Sequence, residues 1–278
     1  TNEGKRKISI ERLHLEEDTG KLLHSKGETL VDFNRAGTPL MEIVTKPEIA
    51  SPVEAKLFLQ QLKSILRSLG VSDADMEKGQ LRVDVNVSLR PEGDKKFYAK
   101  TELKNLNSFR AVEKSLQYEI IRLTELWQKG IPPTNTTTRG WDENKGISEE
   151  QRSKEAIHDY RYFPEPDLPP LDFLKKDIDA IKKELPELPK TRAARFKIEY
   201  KLSSVDAKIL AENNDLSVFM EEVVNTLVNQ FEDISKEQAA KLVTNWLVHK
   251  LFALLNERGE LIDKLKFMID QSENNPKI

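Results

Sequence analysis

Between Leu81 and Leu89 five apolar residues, Leu81, Val83, Val85, Val87 and Leu89, alternate without a fault with Arg82, Asp84, Asn86 and Ser88. A period of two places the two sets on opposite faces of an extended strand, so one face must lie on a core and the other in water. Pro91-Glu-Gly-Asp-Lys95 then turns the chain, and Phe97 to Lys104 alternates again. Lys100, Glu102 and Lys104 fall on one face of this second run; Ala99, Thr101 and Leu103 fall on the other. The pattern predicts a hairpin. With the turn centred near Gly93, matching polar face to polar face sets Arg82 opposite Lys104, Asp84 opposite Glu102 and Asn86 opposite Lys100. Facing like charges destabilise a ladder by roughly a few tenths of a kcal/mol. A divalent ion between Asp84 and Glu102, with phosphates against the Arg and Lys side chains, would resolve both clashes. The competing reading is a hydrated face of alternating charge.

Two helices accompany this hairpin. Ser51-Pro-Val-Glu54 combines an N-cap, a proline at the first helical position and the acid of a capping box. Ala55, Phe58, Leu59, Leu62, Ile65, Leu66 and Leu69 follow at helical spacing, and Gly70 supplies a left-handed stop. Asn105-Leu-Asn-Ser108 ends the hairpin and caps a second helix with Phe109, Val112, Leu116, Ile120, Leu123 and Trp127 as its stripe. Strands in one region and helices on their faces give an α+β fold.

Upstream, Leu30 to Val44 reads as strand, tight turn, strand, with Gly37 and Pro39 interrupting and Asp32, Asn34, Arg35 and Glu42 beside the turn. A buried sheet is expected to present these charges at its edge. Ile8 and Ile10 share a face, but Leu13 and Leu15 change parity, which predicts a bulge near Glu11 or Arg12. Glu16, Glu17 and Asp18 bring three carboxylates to the strand end.

Residues 131 to 153 are rich in Thr, Pro, Gly and charge and read as a long surface loop carrying Trp141. From His158 to Pro170 aromatics alternate with Arg161 among prolines, an extended segment. A short charged helix is expected over Leu174 to Leu185, and Pro186-Glu-Leu-Pro189 marks the domain boundary. Everything after it reads as helix. Lys190, Arg192, Arg195, Lys197 and Lys201 form the strongest basic cluster, which predicts phosphate contacts. Ser203 caps one helix, Leu216 to Val228 marks another, and Ser235-Lys-Glu-Gln238 starts a third that runs to Gly259 with Leu242, Val243, Trp246, Leu247, Leu251, Leu254 and Leu255 inside.

The chain has 278 residues, long enough for one large or two medium domains, and no cysteine, which fits a reducing, cytosolic compartment. Its 44 basic and 47 acidic residues give a net charge of -3, so a nucleic acid would have to meet a local basic patch. No apolar run suits a membrane span. The opening residue is Thr1, and the chain is expected to be a fragment. No phosphate-binding glycine loop, dinucleotide fingerprint, H-E-x-x-H or G-x-S-x-G occurs.

Taken together, His14-Leu-Glu-Glu-Asp18, Leu30-Val-Asp-Phe-Asn-Arg-Ala-Gly-Thr-Pro-Leu-Met-Glu42, Leu81-Arg-Val-Asp-Val-Asn-Val-Ser88, Glu102-Leu-Lys-Asn-Leu-Asn-Ser-Phe109, Arg152-Ser-Lys-Glu155 and His158 to Pro170 resemble the B subunits of the aminoacyl-tRNA amidotransferases. The resemblance implies a cradle-like mixed or antiparallel sheet domain, similar to glutamine synthetase and guanido kinases, over residues 1–185. A small helical bundle that contacts tRNA would follow over 186–278. It implies ATP-dependent phosphorylation of the side-chain carboxylate of Glu-tRNA(Gln) or Asp-tRNA(Asn), then displacement by ammonia. The glutaminase and the small third component of such amidotransferases would be partners, and ATP and Mg2+ the cofactors. By likeness Glu17, Glu42, Asp84 and Glu102 fall on metal-binding acids; Arg35, Arg82, Lys100 and Lys104 are the cations expected to meet the nucleotide. The segment Ile147-Ser-Glu-Glu-Gln-Arg152 departs from the family's pattern. A family N-terminal part, expected to close the sheet, and a C-terminal tail domain have no counterpart, so the chain is expected to be inactive alone. Rival readings are a tRNA-binding scaffold without chemistry and a metal-dependent kinase of small molecules.

Overall fold

A computed structural model of the chain describes residues 6–25, 27–151, 166–167 and 169–258. The Arg152–Glu155 motif and most of the His158–Pro170 segment therefore lie outside the described residues. The chain is a mixed α/β protein and divides into two compact units, Thr1–Gln60 with Arg82–Glu155 and Gln61–Leu81 with Ala156–Ile278.

The first unit begins with two antiparallel strand pairs. β1 (Ile10–Glu17) pairs with β4 (Pro39–Thr45), and β2 (Lys21–Ser25) pairs with β3 (Glu28–Asp32). The β1–β4 register slips between Ile10 and Arg12, which places the expected bulge at Glu11. Leu30 to Val44 is strand, turn, strand as its composition predicts, yet its two strands take different partners. Gly37, at φ +77°, donates its N–H to the Asp18 carbonyl at 2.8 Å, and Asp18 donates back to Thr38 at the same distance. The expected burial of this sheet is corrected: Leu13, Leu15 and Phe33 are 53%, 75% and 68% exposed. A two-stranded pair has no second layer of its own to cover an apolar face.

α1 (Pro52–Ser68) starts as its sequence dictates, the Glu54 N–H donating to Ser51 Oγ at 3.2 Å. The Glu54 carboxylate accepts from the Ala50 N–H at 2.8 Å, one residue before the usual capping-box partner. The second sheet has the order β5 (Val85–Val87), β6 (Thr101–Lys104), β7 (Thr137–Asp142), β8 (Ile147–Gln151). α2 (Phe109–Gln128), capped by Ser108 Oγ on the Ala111 N–H, covers one face. Ala55 and Leu59 of α1, Val112 and Leu116 of α2, Leu103 and Trp141 form the core there. Residues 137 to 151 are thus a hairpin where a loop was expected, and Trp141 is buried. Threonines favour strand, and Asp142 Oδ1 accepts the N–H of Asn144 and Lys145 to close the turn before Gly146 at φ +67°. The same N–H groups, that of Lys145 foremost, hold the Asp142 carboxyl below its usual value.

The second unit carries α3 (Lys175–Glu184), α4 (Pro189–Glu199), α5 (Ser204–Glu212), α6 (Asn214–Gln230), α7 (Lys236–Asn245), a π-helical turn (Trp246–Leu251) and α8 (Phe252–Arg258). Phe196, Leu210, Met220, Val224, Ala240 and Val243 lie in one shared core. The helix that starts at Ser235 runs through the π turn to Arg258, and of its expected interior residues only Leu242, Trp246 and Leu254 are exposed. The inward stripe is Val243, Leu247, Leu251 and Leu255. Its four-residue spacing drifts round an α-helix, and the wider π turn offsets that drift.

Candidate functional site

The outer face of the four-stranded sheet is fixed by its register. Asn86 pairs with Glu102, Glu102 with Thr138 and Thr138 with Gln151; Lys104 pairs with Gly140 and Gly140 with Glu149. Paired residues share a face, so these two rows of polar side chains line the side opposite Leu103 and Trp141.

This register corrects the expected one. Asp84 does not face Glu102; the ladder is displaced by two residues and Asn86 takes that place. The tight turn closes at Pro91–Asp94, where the Asp94 N–H donates to the Pro91 carbonyl at 3.1 Å. The extra residues lie in the arm after it: Asp94 Oδ1 accepts the Lys96 N–H at 2.9 Å and Oδ2 accepts the Tyr98 hydroxyl at 2.7 Å. Those two bonds lower the Asp94 carboxyl from its usual range, and Asp94 in turn raises the Tyr98 phenol. A shift of two keeps every side chain on its face while changing its partner. Lys104 Nζ now lies 3.4 Å from Asp84 Oδ2 and 3.4 Å from Glu102 Oε1, so an ammonium stands between the two carboxylates. The other Glu102 oxygen accepts the Thr138 hydroxyl at 3.0 Å, so both of its oxygens are engaged.

The other expected site residues are placed differently. Glu42 pairs with His14 across β1–β4, and Arg12 reaches it at 3.7 Å. Glu17 pairs with Pro39, and alternation puts it on the face of Leu13 and Leu15, opposite that of Glu42. Arg35 Nε is 3.1 Å from Asp18 Oδ2. Arg82 and Lys100 are exposed and form no ion pair among the described residues. The structure therefore brings Asp84, Glu102 and Lys104 together and leaves Glu17 and Glu42 on a separate strand pair. Among the described residues no three His, Cys, Asp or Glu side chains converge as a metal site.

At the end of β6 the same sheet carries a depression of about 670 Å³ whose lining includes Asn105, Asn107, Gly140, Trp141, Glu149 and Gln151. A Cβ on Gly140 would meet Asn105 Nδ2 at 2.9 Å and run into Gln151 Nε2. Trp141 Nε1 is buried without a hydrogen-bond partner. Residues 1–179 match the family model described as the GatB/GatE catalytic domain. The chain belongs to the GatB/GatE family. It is 45% identical over 287 residues to the B subunit of an aspartyl/glutamyl-tRNA(Asn/Gln) amidotransferase from Persephonella marina, covering 100% of this chain and 58% of that relative. It is 48% identical over 258 residues to a relative of the same description from Roseiflexus sp. (strain RS-1), covering 92% of this chain and 52% of that relative. The chain spans a little over half the length of the curated relatives it matches. No helix among the described residues is long and apolar enough to cross a membrane.

In this GatB/GatE chain the sheet is anchored from behind by a group that sequence reading passed over. Glu119 of α2 is fully buried; Arg122 donates to it from Nε at 2.9 Å and Nη2 at 2.7 Å, Arg139 Nε lies 3.3 Å away, and the Ser148 hydroxyl donates to it. Arg122 Nη2 also donates to Thr101 Oγ1 at 3.2 Å. One carboxylate thus ties α2 to β6, β7 and β8. The signal was a Glu set among Leu116, Ile120 and Leu123 on the packing stripe, facing two later arginines.

The basic cluster of the second unit is also corrected. Arg192 is 5% exposed and donates to Asn214 Oδ1 at 2.8 Å, the Glu187 carbonyl at 3.1 Å and Ser217 Oγ at 3.3 Å. Arg195 donates to Glu187 at 2.8 Å, Glu221 at 2.5 Å and Glu199 at 3.2 Å. Lys236 bonds the remaining oxygen of Glu199, and Tyr200 donates to Glu221 at 2.9 Å. Glu221 and Glu187 come from outside the basic run, so a charge count along the sequence missed them. Lys236 foremost and then Arg195 lower the Glu199 carboxyl. At Glu221 burial works upward, yet bonds from Arg195 and Tyr200 leave it below its usual value.

Proposed function

We propose that this chain carries the acid-activating part of an aspartyl/glutamyl-tRNA amidotransferase. In this reading ATP phosphorylates the side-chain carboxylate of Glu on tRNA(Gln) or Asp on tRNA(Asn). Ammonia from a partner glutaminase, assembled together with a small third component, then displaces the phosphate. A carboxylate lacks a leaving group, and phosphorylation gives it one. The finer architecture belongs to the same proposal: a glutamine synthetase-like cradle over 1–185, a tRNA-contacting helical bundle over 186–278, and a cytoplasmic enzyme.

The observation that carries the reading is the Asp84–Lys104–Glu102 group on the polar face. Its hard oxygen donors suit Mg2+, and the ammonium held between them marks a place that attracts positive charge. Asp84 and Glu102 would hold the ion; Glu17 and Glu42, on opposite faces of the separate β1–β4 pair, are left out of that set. Bound there, Mg2+ would offset the negative charge of the nucleotide's phosphates. Thr138 holds Glu102 in place, while Lys104, displaced from between the acids, joins Arg82, Lys100 and Arg35 as the cations proposed for phosphate. The test is amide formation by the complete enzyme supplied with Glu-tRNA(Gln), Asp-tRNA(Asn), ATP and glutamine. ATP-dependent appearance of Gln-tRNA or Asn-tRNA is the expected result; amide formed at the same rate without ATP contradicts the reading.

A further inference from the structure

A second polar cleft lies wholly within the second unit. It measures about 390 Å³ and its lining includes Lys201, Ser203, Asp206, Lys241, Thr244 and His249. Lys201, Lys241 and His249 have no carboxylate partner among the described residues, whereas Arg192, Arg195 and Lys236 are all engaged. The one acid of the lining, Asp206, accepts the Ser203 hydroxyl at 2.7 Å. Thr244 is 3% exposed, and its Oγ1 has no hydrogen-bond partner. The contrast with other helical threonines is informative: Thr124 and Thr226 each donate to the carbonyl four residues back. A buried hydroxyl left unpaired costs stability and calls for an explanation. Lys201, in the turn before α5, also holds a left-handed φ of +53°.

We infer that this cleft is a phosphate site for the backbone of an RNA. The two ammonium groups supply charge, the imidazole supplies a ring N–H, and the Thr244 hydroxyl supplies a directed donor to a phosphate oxygen. This rests on the proposed action on tRNA and deepens it, replacing Arg192 and Arg195 with residues whose charge is available.

The test uses the full chain with inorganic phosphate and with tRNA as probes, read by NMR at the His249 ring. Phosphate is expected to shift His249 saturably, and Lys201→Gln with Lys241→Gln to weaken that binding at least tenfold. Added tRNA should then displace the phosphate, and the log–log salt slope of tRNA binding should fall by about 0.7 to 0.9 per lost phosphate contact. No shift of His249 overturns the site. A shift that tRNA does not reverse, with an unchanged salt slope, makes it a free-phosphate site and overturns the RNA assignment. Failure of ATP-dependent amidation with the His249 result intact would end the amidotransferase reading alone.

Discussion

Asn86 faces Glu102 across the β5–β6 ladder, and with that register Lys104 lies between two acids instead of two acids confronting each other. The alternation of residues 81–104 made the polar face legible, because face depends only on parity. Pairing depends on how many residues the connection takes up, and the Asp94–Tyr98 contact in the arm after the Pro91–Asp94 turn is one that no periodicity encodes.

Arg195 serves the fold. Its three carboxylate partners are half-buried, and charge-assisted hydrogen bonds contribute about 1.5 to 3 kcal/mol each at most. Arg195→Ala should lower unfolding stability by about 2 kcal/mol in urea denaturation and leave the salt slope of tRNA binding unchanged. The pH dependence follows from Glu199 and Glu221, whose carboxyls are lower in the folded chain than in the unfolded one. Their contribution is complete above the unfolded value of about 4.3 and is lost as pH falls through the folded values. In Arg195→Ala the acid limb of the stability profile should flatten.

Glu119 makes the sharper stability prediction. Removing a buried carboxylate leaves Arg122 and Arg139 with uncompensated charge, a loss of about 3 to 5 kcal/mol. Glu119→Ala should therefore unfold the sheet unit well before Glu102→Ala does, by denaturant titration. Equal midpoints would remove Glu119 from the role of anchor.

How much the sequence disclosed varied with the kind of signal. The α1, α2 and α7 starts were legible because Ser51, Ser108 and Ser235 act on their own neighbours. The bulge at Glu11 showed as a change of parity. By contrast β7 and β8 were read as loop, since Thr137 to Asp142 has no clean alternation and gains its order from the parallel pairing with β6. Likewise Lys201 lies far in sequence from Lys241 and His249, and the Glu187–Arg195–Glu221 group is invisible to a local charge count. Long-range partners decided each of these.

The most direct measurement is tRNA-dependent ATP hydrolysis by the complete amidotransferase carrying Glu102→Gln. The substitution keeps the size of the side chain and its Thr138 contact while removing the charge that attracts Lys104 and, in this account, Mg2+. ATP turnover and amide formation should fall at least a hundredfold across the full range of Mg2+ concentration, with tRNA affinity and basal glutaminase activity within twofold of the unsubstituted enzyme. Normal ATP turnover in Glu102→Gln would contradict the account.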